Sequence, residues 1–169
     1  MKKLILFIII SPIIFLSCGH NDDSWPPYIY DINLIFTDKD GNDILKDIPE
    51  GKLWNTKLEI LSTDGKNTPN ISEPEIEVWS KDEFHEEIRF LNIMASSFKK
   101  SYRPNEISFN LICPEIFSDN KEHLVITKWD FPDNSDSNIW ISVSVDGKEY
   151  EPKSPNNQVY NKFATIILD

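Results

Sequence analysis

The sequence predicts an all-β fold, built as an antiparallel two-sheet sandwich. Three observations point there. The chain of 169 residues holds 24 Ile and only two Ala, Ala95 and Ala164. Ala is the best helix former, whereas β-branched side chains fit the pleated surface of a strand. Apolar and polar residues alternate in several separate segments, the period of a half-buried strand. Asp-Gly occurs three times, at Asp40-Gly41, Asp64-Gly65 and Asp146-Gly147. Gly accepts positive φ and Asp tolerates it, so these are tight-turn signals.

The elements follow in chain order. Tyr28, Tyr30, Ile32, Leu34 and Phe36 share one face of a first strand, with Asp31 and Asn33 opposite. Asp38-Lys39-Asp40-Gly41-Asn42 then reads as a turn. Shorter alternations follow at Leu58 and Ile60, and at Ile76 and Val78. Residues 84–94 carry two patterns: Phe84, Ile88, Leu91 and Met94 at helical spacing, and Ile88 with Phe90 as strand; a strand over 88–94 is expected. Ile107, Phe109, Leu111 and Cys113 alternate with Ser108 and Asn110. A strand is read around 124–127. Ile139, Ile141, Val143 and Val145 are expected to point inward, opposite Trp140, Ser142 and Ser144. Residues 163–168 form the last strand. The prolines fall mainly between these segments, where they interrupt no ladder. About seven or eight short strands at this spacing suggest an immunoglobulin-like sandwich. The paired cysteines of true immunoglobulin domains are absent, so the strand topology stays open.

Composition bounds the function. The length suits one domain, expected over 28–169. A formal charge of −11 argues against nucleic-acid binding, which needs clustered Lys and Arg. Lys99, Lys100 and Arg103 form a small basic cluster, read as a solvated loop. Two Cys exclude a disulfide scaffold.

The first residues speak of localisation. Lys2 and Lys3 precede an apolar run over 4–16, broken only by Ser11 and Pro12. As helix this run spans about 20 Å, short of the roughly 30 Å hydrocarbon core, so it reads as a secretory signal over 1–17. The run ends Phe15-Leu16-Ser17-Cys18. That ending resembles the lipobox of bacterial lipoproteins, with Phe15 where the family usually has Leu. The resemblance implies a diacylglyceryl group on the Cys18 thiol, cleavage before Cys18, and acylation of the new amino group, palmitate being one such chain. Removing both leader lysines takes the formal charge from −11 to −13. A body so acidic is repelled by anionic lipid, so the acyl chains must do the anchoring, at about 0.8 kcal/mol per buried methylene. Residues 18–27 then read as the lipidated Cys and a polar tether. Asp22-Asp23 resembles the export signal of surface-exposed lipoproteins, which implies a body facing outward.

Chemistry-bearing residues are few. Asp38, Asp40 and Asn42 alternate as calcium ligands would, but the Gly comes too early for an EF-hand loop and Pro49 stands where its Glu belongs; a hairpin turn with solvated acids is expected. Asp130, Asp133 and Asp136 receive the same reading. Of the five Trp, at 25, 54, 79, 129 and 140, most should be core. Trp140 lies opposite its strand's aliphatic face and is the candidate for exposure and for stacking on a sugar. Cys113 is expected to be a buried, inert thiol. His20 lies in the tether. His85 and His123 each stand beside Glu without a zinc-motif partner, and are expected at the surface. No cofactor and no catalytic residue is expected.

The whole resembles small bacterial surface lipoproteins carrying one immunoglobulin-like sandwich. That resemblance implies an outer-membrane location in a Gram-negative bacterium and no known activity. The leading expectation is a lipid-anchored, monomeric, non-enzymatic binding or structural module with a glycan or protein partner. The alternatives are a glycan-binding accessory protein of polysaccharide uptake and a small hydrolase.

Overall fold

A computed structural model describes residues 28–53, 55–61, 69–79, 87–97, 103–132, 138–154 and 162–169. The leader, Cys18, the tether with His20 and Trp25, and also Trp54, the Asp64-Gly65 pair, Phe84, His85, Lys99, Lys100, Asp133 and Asp136 lie outside the described residues.

Among the described residues eleven strands form two packed sheets. They are β1 (Tyr28–Asp38), β2 (Gly51–Lys52), β3 (Lys57–Leu61), β4 (Asn70–Ile71), β5 (Glu75–Trp79), β6 (Ile88–Ser97), β7 (Glu106–Ile112), β8 (His123–Asp130), β9 (Ile139–Val145), β10 (Lys148–Tyr150) and β11 (Ala164–Leu168). A 3-10 turn, Ile44–Asp47, follows β1, and a short helix, α1 (Pro114–Phe117), follows β7. The first sheet has the order β11-β1-β6-β5-β2, with β4 also on β6; the second runs β10-β9-β8-β7-β3. All eight expected strands are present. The three additional ones, β2, β4 and β10, are two or three residues long, too short for alternation to register.

Two features differ from a plain antiparallel immunoglobulin arrangement. β1 pairs with β11 in parallel, Leu34 opposite Ala164 and Asp38 opposite Leu168. The second sheet places the consecutive strands β7 to β10 side by side as a meander, whereas immunoglobulin sheets interleave strands as ABED and CFG.

The core lies between the sheets. Tyr30, Ile32, Leu34 and Phe36 of β1 are fully buried, as the alternation predicts, and meet Phe109, Leu111, Val125 and Val143 of the second sheet. The Tyr30 ring stands edge-on to Trp129, centroids 5.2 Å apart. Trp129 donates its indole N–H to the Thr127 hydroxyl at 2.9 Å, and Thr127 donates to the Ile107 carbonyl at 3.3 Å. A buried polar pair is thereby satisfied rather than left at a cost.

The strand β9 corrects the sequence reading. Lys128 pairs with Ser142, but Trp129 pairs with Trp140, so Ile141 is the extra residue of a β-bulge. An extra residue reverses the alternation on its far side. Val143 and Val145 do face inward, but Trp140 is also buried, at 3% exposure, and Ile141 is 48% exposed. Trp140 is therefore core, not the exposed platform expected of it. Its indole N–H donates to the Ser142 carbonyl at 3.1 Å.

Two of the Asp-Gly pairs form turns. At β9–β10, Asp146 has φ 51° and Gly147 φ 84°, the double positive φ of a type I′ hairpin. At the end of β1, Gly41 has φ 85° and its N–H donates to the Asp38 carbonyl at 3.0 Å.

Candidate functional site

The loop after α1 and the β9–β10 hairpin meet at one end of the second sheet. Pro114 opens α1, where its missing N–H leaves no gap. Ser118 closes it in the left-handed conformation, φ 59°, its N–H donating to the Pro114 carbonyl. This tight stop turns the chain so that Asp119 faces His123, the first residue of β8. On the other side, the type I′ turn points Asp146 back across the sheet to the same ring.

His123 is thus held on three sides. Its Nδ1 lies 2.7 Å from Asp146 Oδ2 and its Nε2 3.0 Å from Asp119 Oδ1. The ring stacks on Phe117, centroids 3.6 Å apart and planes 12° from parallel. Its side chain is 14% exposed, so this is no free surface histidine. Asp146 is itself fixed: its Oδ1 accepts the Leu124 N–H at 2.9 Å, and its own N–H donates to the Leu124 carbonyl at 2.9 Å. Asp119 Oδ1 also accepts the Lys121 N–H at 3.0 Å. The hydrogen bond from His123 holds the Asp119 carboxyl below its ordinary pKa, helped by the Lys121 backbone bond.

Beside this cluster a cleft of about 390 Å³ opens between β10 and β11. Phe117, Val145, Tyr150 and Leu168 supply apolar lining, and Lys148 an ammonium. Lys148 Nζ sits 5.5 Å from the Tyr150 ring centroid, a cation–π distance. The Tyr150 hydroxyl donates to the Ile167 carbonyl at 3.2 Å. Beyond Tyr150 a second cleft, of about 290 Å³, lies by Glu151, Lys153, Phe163 and Thr165. Lys153 and Phe163 exchange two backbone hydrogen bonds of 2.8 Å at its far end.

The arrangement suits holding rather than proton transfer. A general base needs a nitrogen or carboxylate aimed at substrate, and both His123 nitrogens face carboxylates. The same geometry turns both ring nitrogens to carboxylate oxygens, so neither is open to a metal ion. Among the described residues no group of three His, Cys, Asp or Glu side chains is placed to hold a metal.

The other residues singled out in the sequence do not join this site. The Asp38 carboxylate accepts from the Asp40 N–H at 2.9 Å, the Asn42 N–H at 2.8 Å and the Asn42 side-chain amide at 2.8 Å. Those bonds, the Asn42 side chain foremost, hold its carboxyl below the ordinary value. Loop donors thus use the oxygens that a cation would need, and Asn42 directs its amide N–H₂ at Asp38. Asp130 caps its own strand end, accepting from the Phe131 N–H at 2.9 Å. Cys113 is buried; the Thr56 hydroxyl donates to its sulfur at 3.3 Å, and burial pushes its thiol pKa up. Arg103 lies over the Phe131 ring, 5.8 Å from its centroid.

A second cluster covers the outer face of the first sheet. Trp79, Phe90 and Phe163 pack edge-to-face at 5.0–5.1 Å. Beside them Asn92 donates to Asp31 at 2.7 Å and to Asn33 at 2.9 Å. Glu77 accepts from Trp79, yet desolvation and the acids Asp31, Glu75 and Glu50 raise its pKa.

Sequence reasoning missed the partners of His123. Asp119 at i−4 is visible only in hindsight, and Asp146 reaches the ring only once β8 and β9 pair. No family model, curated protein or solved structure matches the chain.

Proposed function

We propose that the protein is lipid-anchored through Cys18 at the outer membrane of a Gram-negative bacterium, and that its β-sandwich is a non-enzymatic binding or structural module. The observation that carries this reading is the leader: two Lys, an apolar run too short to span a bilayer, and Ser17-Cys18. β1 opens at Tyr28, ten residues after Cys18, so a short tether would hold the body close to the lipid surface. Among the described residues no helix is long and apolar enough to cross a membrane. The non-enzymatic part draws support from Cys113, whose thiol is buried and hard to ionise. It draws further support from His123, whose two nitrogens are engaged.

A glycan-stacking reading would want an exposed coplanar pair of Trp rings. Trp129 and Trp140 are coplanar, but at 5% and 3% exposure they stack on each other inside the core.

The test is acyl labelling of cells expressing the full chain with a palmitate analogue. The wild-type protein should carry label and fractionate with membranes, while Cys18→Ala should remain uncleaved and unlabelled. Label on Cys18→Ala, or a cleaved and unacylated variant that stays with the membrane, would end the lipoprotein reading.

A further inference from the structure

We infer that Asp119, His123 and Asp146 form a proton-operated clamp that fixes the loop over 118–122, whose flanking residues Phe117 and His123 line the larger cleft. Both ring nitrogens face carboxylate oxygens, at 2.7 and 3.0 Å. Only the doubly protonated ring can donate to both. A ring with one proton turns a lone pair toward one carboxylate, and that contact becomes repulsive.

The geometry decides which side lets go. Asp146 is fixed by the fold: it sits in the type I′ turn, accepts the Leu124 N–H and makes the shorter contact. Asp119 sits in a loop, with Lys121 its other partner. The single proton therefore stays on Nδ1, and Nε2 releases Asp119. Phe117 lines the cleft and stacks on the ring, so the freed loop alters the cleft's edge. The charged groups around the ring are Asp119, Lys121, Asp146, and Lys148 and Asp169 across the cleft. Of these, Asp119 has its carboxyl pKa lowered by its contact with the ring, so it is ionised through the range in which an imidazole titrates.

Ring-nitrogen NMR and amide exchange on the full chain in detergent micelles test this across that range. The neutral ring should carry its proton on Nδ1, the minor tautomer of a free imidazole. The Lys121 amide should lose about tenfold in protection as the ring titrates, the scale of one charged hydrogen bond. In His123→Gln, which cannot titrate, that loss should be absent. A neutral ring protonated on Nε2, a Lys121 amide indifferent to the titration, or an undiminished loss in His123→Gln would overturn the clamp.

Discussion

Trp129 and Trp140 stack face to face across the β8–β9 bulge, centroids 5.6 Å apart and planes 12° from parallel. The extra residue, Ile141, is what lets both rings enter the core. Without it Trp140 would fall on the outer face, where simple alternation puts it.

The bulge sets the response to charge. Val143→Lys should unfold or badly destabilise the domain, because Val143 is fully buried and an unpaired buried ammonium costs several kcal/mol against a total of about 5–15. Ile141→Lys, at a 48% exposed position, should change stability by no more than about 0.5 kcal/mol. Urea unfolding of the two variants checks this. Equal losses would mean that the bulge is misplaced.

Acid should weaken the fold through Asp38 and Asp119. Both carboxyls have folded pKa values below the ordinary one, held down by Asn42 and by His123 respectively. The folded state therefore binds fewer protons than the unfolded one, and stability is lost as pH falls through the lowered values. Melting temperature followed from about pH 5 to about pH 2 should fall less steeply in Asp119→Asn than in the wild-type chain. An identical slope would show that the contact contributes nothing.

Glu77 should behave in the opposite sense. Desolvation and neighbouring acids raise its folded pKa, so its ionised form opposes folding at neutral pH. Glu77→Gln, which can still accept from Trp79, should raise the melting temperature at pH 7 and leave it unchanged well below the carboxyl range. A lower melting temperature at pH 7 would contradict the direction of the shift.

Cys113 should be slow to modify. In a chain carrying Cys18→Ala, Cys113 is the sole thiol. A thiol reagent should react with it in urea at an ordinary rate, and far more slowly in the native state, since burial disfavours the thiolate. Comparable rates in both states would place the sulfur at the surface.

The fold was legible wherever one strand face was buried and the other solvated. β1 and β7 alternate as they fold, and Ile88, Arg89 and Phe90 proved to be strand because β6 lies between β1 and β5. What escaped was non-local. The bulge at Ile141 depends on how β8 registers against β9. The parallel pairing of β1 with β11 has no local signal. The His123 cluster unites residues separated by a whole hairpin, and its chemistry exists only after β8, β9 and α1 are in place.

The parallel neighbour of β1 has a kinetic consequence. Leu34 and Ala164 are 130 positions apart, and closing so long a loop carries an entropic barrier before any contact rewards it. A chain emerging from its amino end exposes one flank of β1 until residues 164–168 follow. That flank is a free strand edge, open to pairing with other chains during the delay. Completion of the first sheet is therefore a late step in folding, and shielding is needed most while the chain is still emerging.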